Sequence, residues 1–344
     1  MRLNAFAVGL SAALAVTMAA PASAQQPLTL KPAGSPLSVQ PPFAKDSKAR
    51  KAISGAACAP TTPKVCLAVN DEKKYAQFFT IDTSDGAKLV PGDLIRLAPN
   101  NDGELEINEL DLEGAAYDNG FFYAVGSHGA PRDPDKPFDP SRFSIYRFRV
   151  DPQTGIPAFK HSGNLINTSA IVRSGKLREA IKAADKIGPL AEQPLGKNGA
   201  NIEGIAVRDG RIYLGFRAPS IDGSAFIMEV GADAVFGKAS VKPVVHALKL
   251  GKDVGIRDLA AVKSGFLVLA GPSPGVSGSG LDYPVFHWDG KSAVKPLGPL
   301  GSIPGDGKPE TLVVLDDTEG QPWRVLILIE NRENAEPTEY VIAR

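Results

Sequence analysis

Two stretches of the chain are near copies of one another. Asn201 to Pro219 reads NIEGIAVRDGRIYLGFRAP, and Asp111 to Gly129 reads DLEGAAYDNGFFYAVGSHG. Each opens a strand with Glu-Gly, makes a tight turn at a Gly, and returns as an aromatic strand. Related hairpins begin at Ile53 (ISGAAC, VCLAVNDE), Ile256 (IRDLAAV, FLVLAGP) and Pro309 (PETLVVLDD, RVLILIENR). A hairpin repeated at intervals of about 50 residues, with further strand-like runs after several copies, predicts an all-β fold: a β-propeller of four-stranded blades. Five units are visible, and the length accommodates a sixth, so five to six blades are expected. A β-sandwich also has short alternating strands, but it would not repeat one hairpin opening along the chain.

One interval is too long. About 90 residues separate Glu113 from Glu203, against 54 from Glu203 to Arg257. The excess contains SGKLREAIKAADKIGP, with Ser174 as an N-cap candidate, apolar Leu177, Ile181 and Ala184 at helical spacing, and Gly188-Pro189 as a stop. An inserted helix is expected near 174–187, between the last strand of one blade and the next blade.

The N-terminus sets the expected compartment. Arg2, the apolar run 3–20 and the small-residue pattern Pro21-Ala22-Ser23-Ala24 read as a signal peptide over 1–24. Residues 25–48, rich in Pro, Ser and Lys, read as a linker or N-terminal arm, and 49–344 as the propeller domain. A periplasmic or secreted location follows, with no membrane span in the mature form. Loss of Arg2 leaves one more acid than base, a net charge of about −1. That balance argues against nucleic acid and anionic membranes as partners. In an oxidising compartment Cys58 and Cys66, the only cysteines, are expected to form a local disulfide.

Alternating strand direction sorts the loops. Short turns at 118–120, 208–210, 263–265 and 288–291 belong on one face. Long connections after Val125 and after Ala270, together with the helix insertion, belong on the other, here called the upper face. Long loops collect function, so the upper mouth of the central channel is the expected site. First strands bring Ser54, Glu113, Glu203, Arg257 with Asp258, and Glu310 to that mouth. Second strands end there with Asn70, Asp71 and Glu72, with Ser127 and His128, with Arg217, and with Glu330, Asn331 and Arg332. Converging carboxylates raise one another's pKa values or need cations. His128, Arg217, Arg257, Asp258 and Arg332 are the candidate ligand-binding residues. Glu113, Glu203 and Glu310 are candidate metal ligands for Ca²⁺, which takes oxygen donors. The plainer reading has equal weight: these glutamates pair with arginines of neighbouring blades and hold the ring together. Asp133, Asp135 and Asp139 read as a solvated proline-rich loop, and His161, His246 and His287 lack metal-ligand spacing.

DLEGAA with GSHG, NIEGIA with GFRAP, GIRDLA with LAGP, and KPET together resemble the bacterial domain of unknown function 3616, from about Ile53 to the C-terminus. The resemblance implies an exported, propeller-like protein without an assigned activity. More distantly, the Glu-Gly blade opening is similar to those of phytase-like esterase propellers and calcium-dependent lactonase propellers. In the lactonases a glutamate at such a position binds calcium, and Glu113, Glu203 and Glu310 stand in matching places. The lactonases' Asn/Asp pattern is not clearly reproduced, and the paired histidines of some of them are missing. Three functions are therefore carried forward. The first is a small anionic or polar ligand bound at the upper mouth, the second a calcium-dependent phosphoesterase or esterase-like hydrolase, the third a protein–protein scaffold on the long upper loops. No nucleophile–base pair is legible that would assign an enzyme.

Overall fold

A computed structural model describes residue 1 and residues 28–344 except 83–86, 104, 108, 132, 134 and 275–281. The signal-peptide expectation, apart from Met1, and the middle of the loop after Ala270 lie outside the described residues.

Five sheets stand in a ring, a five-bladed propeller, and Asn101–Asp102 with Leu105–Glu106 make a small two-stranded ribbon besides. The inner strands are Ile53–Cys58, Leu112–Asp118, Asn201–Arg208, Val254–Val262 and Lys308–Asp316. Each packs against the next, and the fifth against the first. Apart from one added strand of the N-terminal arm, every blade is contiguous in sequence and antiparallel from strand to strand. Blade 5 has three strands of its own. Its outer edge is covered by the N-terminal arm, where Pro32 bridges Tyr340 and the Ala33 N–H donates to Glu339 O. The arm continues as Ser38–Val39, a fifth, parallel strand on blade 1.

The core explains why the second strands read as continuous apolar runs. Each lies between two neighbouring blades, so both of its faces are buried. In Trp323–Glu330, Val325, Ile327 and Ile329 face blade 4, while Leu326 and Leu328 face blade 1. Five apolar wedges between adjacent blades make up the core.

The short turns sit on one face as expected. Asn119-Gly120 and Asp209-Gly210 both have positive φ, the conformation a two-residue hairpin turn requires. Cys58 and Cys66 are directly opposed across the first hairpin and form a disulfide.

The insertion differs in detail. The helix spans only Leu177–Ala183, because Ala184 turns extended (ψ 130°). Ser174 does not cap it. It ends the outer strand of blade 2, and its hydroxyl donates to Val235 O at 2.7 Å. Leu177 and Ile181 are fully buried with Val125, Ile202 and Phe216. The apolar face therefore fills the wedge between blades 2 and 3.

Candidate functional site

The repeated carboxylate position has a structural cause. In all five inner strands the pairing register slips at one equivalent point, and the residue left without a partner is Ser54, Glu113, Glu203, Arg257 or Glu310. Each is the extra residue of a β-bulge. A bulge bends its strand and re-aims a side chain, and bulges collect at barrel rims and beside active sites. Here five of them aim one residue per blade at the upper mouth of the channel.

The residue after the bulge sets how closely the blades approach. A Cβ on Gly55 would lie 2.6 Å from Gly114 Cα, and one on Gly204 would lie 2.8 Å from Asp258 Cα. The glycine keeps the ring narrow. In blade 4 this position is Asp258, whose carboxylate accepts from the backbone N–H of Leu259 and, across to blade 5, of Leu312, both at 2.7 Å. Burial pushes its carboxyl well above the usual carboxylate range. Asp258 is thus a clasp between blades, with no group left for a ligand.

Four of the five bulge residues are engaged by the protein. Ser54 Oγ donates to Leu112 O of the next blade. Glu203 accepts from Arg217 Nη1 at 2.9 Å and pairs with Arg257 Nη1 at 2.7 Å. Arg257, 2% exposed, reaches Glu310 with Nη2. Burial opposes its charge, but Glu203 and Glu310 outweigh that and raise its pKa. Burial pushes Glu310 well up, and it hydrogen-bonds Glu330. Burial acts on Glu330 in the same direction, but that bond and Lys308 at 3.0 Å hold it low.

Glu113 is the exception. Among the described residues it has no hydrogen bond and no ion pair. Burial pushes its carboxyl well above the carboxylate range, and Asp111, Glu203, Asp71 and Glu310 push the same way. Asp71, from the end of the neighbouring second strand, is similar. Burial, with Asp111, Glu72 and Glu330, raises it to about 7, and its Oδ1 is buried without a partner. Asp71 borders an open pocket of about 680 Å³, whose wall also includes Glu109, Asp111, Lys136, Phe138 and Arg142. Arg142 in turn pairs with Glu109 at 2.6 Å and Asp111 at 3.1 Å.

Two expected rim residues point elsewhere. His128 has φ 53°, and this reversal of the chain turns its ring inward, where it is 1% exposed and stacked on Phe143. Its ring nitrogens form no well-made hydrogen bond, the Ser144 backbone offering at most a weak one. Burial, with Arg178 alongside, pushes its pKa down to about 3. Arg332 donates to Pro304 O and pairs with Asp306 at 2.8 Å, so it holds the crossover between blades 4 and 5. Of the five candidate ligand-binding residues, Arg217 and Arg332 keep part of their side chains in water, Arg217 while paired with Glu203 and Arg332 while paired with Asp306.

The three glutamates do not fit a shared calcium ion as they stand. Glu203 and Glu310 close on Arg257, and among the described residues no three His, Cys, Asp or Glu side chains are grouped to hold a metal. The lesser candidates have local roles. Asp139 caps the turn Pro140–Arg142, and His246 pairs with Glu229 at 2.8 Å. Sequence reasoning missed Asp111, Arg142, Lys308 and Tyr283. The first two flank blade 2, and Tyr283 packs against Gly271 beside Arg257. None of them repeats from unit to unit, so the internal repeat held no signal for them.

A family model described as "Protein of unknown function (DUF3616)" matches residues 63–151 and 157–331. No curated protein sequence matches. Among solved structures, an exo-β-1,3-galactanase from Phanerochaete chrysosporium aligns at 9% identity and TM-score 0.47, covering 92% of this chain and 64% of that one. An N-acetylgalactosamine deacetylase from F. plautii aligns at 8% identity and TM-score 0.46, covering 90% and 93%. The RS223 β-xylosidase aligns at 11% and 0.43, covering 86% and 93%. This chain thus spans less than two thirds of the galactanase chain. At these scores the likenesses carry no argument about activity.

Proposed function

The chain belongs to the family described as Protein of unknown function (DUF3616), and from that premise we propose that its propeller binds a small polar ligand at the upper channel mouth. The observation that carries the reading is Glu113. Of five equivalent bulge residues, it alone has no partner among the described residues, and it lies half-buried beside the carboxyls of Asp111, Glu203, Asp71 and Glu310. A buried polar group left unpaired is costly, and a ligand's hydroxyl or amine supplies what the fold omits. The anionic form of this reading loses support, because Arg257 is already neutralised and carboxyls surround the opening. A hydroxylated or cationic ligand is the form we retain.

We further place the protein in the periplasm or outside the cell. The signal-like N-terminal sequence and the Cys58–Cys66 bond support that location. Among the described residues no helix is long and apolar enough to cross a membrane.

A thermal-shift screen of the mature chain against small saccharides, polyols and amines, repeated on Glu113→Gln, tests the proposal. At a hundredfold excess over Kd a ligand stabilises the native state by about 2.7 kcal/mol, and the shift is expected in the wild type and lost in the variant. Hits that stabilise both proteins equally would place binding elsewhere and sink the reading.

A further inference from the structure

The outer strand of a blade presents backbone N–H and C=O groups that face solvent unless something covers them. In this chain the N-terminal arm crosses three such edges in succession. On blade 4 the Leu30 N–H donates to Pro299 O at 2.8 Å, and Leu30 O accepts from the Gly301 N–H at 2.7 Å. On blade 5 Pro32 bridges Tyr340, and the Ala33 and Leu37 N–H groups donate to Glu339 O and Pro337 O. On blade 1 Ser38 and Val39 pair with Lys88 and Leu89, and the Gln40 N–H donates to Leu89 O. Phe43 then turns inward, 2% exposed and edge-on to Phe79, in the apolar wedge between blades 5 and 1.

Two features mark this path as a built seat. Blade 4 makes room for the arm with glycine. A Cβ on Gly298 would lie 2.2 Å from Leu28 O, and one on Gly301 would lie 2.9 Å from Thr29 Cγ2 and 3.0 Å from Leu30 O. The path also crosses the junction of blade 5 with blade 1, where the chain does not run on from one blade into the next. A pocket of about 660 Å³ opens there, walled by Thr61, Lys64 and Ile81 of blade 1, Leu315 and Arg324 of blade 5, and Leu37 of the arm.

We propose that residues 28–43 are a strap that closes the ring by strand addition, on a surface that receives an extended, proline-containing segment as a separable ligand. Backbone hydrogen bonds supply the attachment and apolar side chains the register, as in strand addition between proteins. Leu30 packs against the wedge between blades 4 and 5, and Leu37, Val39 and Phe43 pack into the one between blades 5 and 1. Release of the strap frees the edges of three blades and opens the seam between the last blade and the first. The inference stands apart from the ligand reading at the mouth.

The experiment cuts the strap from the folded protein. A site for a sequence-specific protease is inserted between Lys45 and Asp46, both exposed, and the folded mature chain is cleaved there. The severed segment 25–45 is expected to stay with the propeller through gel filtration. The melting midpoint of the cleaved protein is expected to fall by a few degrees on hundredfold dilution, because loss of the segment on unfolding follows mass action. That of the uncut protein stays constant. Gly301→Val, which crowds the seat, is expected to weaken retention of the segment at least tenfold. In the uncut chain the same variant is expected to speed hydrogen exchange of the Leu30, Ala33 and Leu37 amides at least tenfold, with a smaller change at the Leu214 amide of blade 3. A segment lost on the column, with a midpoint equal to that of the uncut protein at every concentration, would overturn the strap. Exchange at Leu30 unchanged by Gly301→Val would overturn the seat on blade 4. The exchange measurement needs no cleavage and decides alone if the insertion disturbs folding: wild-type exchange of these three amides at the rate of an unstructured chain would also overturn the strap.

Discussion

Arg257→Met is expected to cost about 3–5 kcal/mol of folding stability, the range found when one partner of a buried ion pair is removed. Arg257 is 2% exposed and lies between Glu203 of blade 3 and Glu310 of blade 5. Methionine fills much of the volume but leaves two buried carboxyls facing each other across it. Arg217 still compensates Glu203 in part, and the hydrogen bond to Glu330 relieves Glu310 in part, so the lower end of the range is expected. The loss comes from charge left unpaired. Adding Glu203→Gln and Glu310→Gln to the same protein is therefore expected to recover most of it, a strongly non-additive result. Urea unfolding of the wild type, Arg257→Met, the Glu203→Gln/Glu310→Gln double variant and the triple variant measures this. A loss below about 1 kcal/mol, or no recovery in the triple variant, would mean that Arg257 does not tie the blades together.

The second large effect is expected at Gly204. An alanine Cβ there would lie 2.8 Å from Asp258 Cα and 2.9 Å from both Asp258 C and Leu259 N. These are backbone atoms of the neighbouring inner strand, which has its own blade and the Asp258–Leu312 clasp holding it in place. No rotamer change relieves the clash, so two blades must separate. Gly204→Ala is expected to cost about 3 kcal/mol, the upper part of the range for overpacking. It is also expected to weaken any ligand at the mouth, because Glu203 shifts with its strand. Gly196→Ala is the control, since nothing lies within 4 Å of its Cβ. Chemical denaturation compares the two. Equal stability of both variants would show that the blades are not in contact at this point.

Much of this organisation is legible in the sequence because a propeller repeats its instructions. The Glu-Gly openings, the tight turns at Asn119-Gly120 and Asp209-Gly210, and the apolar runs such as VLILI recur once per blade. Together they fix strand direction and gather the charged residues on one face. The bulge was not legible. LEGAAY and IEGIAV read equally well as uninterrupted strands, and only pairing with the next strand reveals that Glu113 and Glu203 are extra residues. His128 and Arg332 were misplaced for a related reason. Both lie two residues beyond the end of a strand, at Gly126 and Glu330, where a single backbone reversal, φ 53° at His128 itself and φ 66° at Asn331 before Arg332, decides where the side chain goes. The equal-weight reading of the glutamates resolves residue by residue. Glu203 and Glu310 are blade-to-blade partners of Arg257, and Glu113 is not.

The central claim is that Glu113 and Asp71 are half-buried carboxyls with raised pKa values, and that among the described residues neither pairs with an Arg or Lys. Carbon-detected NMR of the side-chain carboxyls in the mature, ligand-free protein, followed from pH 3 to pH 9, measures it directly. Asp71 is expected to titrate near 7, with Glu113 still protonated well above the ordinary glutamate range. If both resonances titrate at about pH 4, as unperturbed carboxyls do, then water or an unrecognised positive group already serves them, and the account of the mouth is wrong.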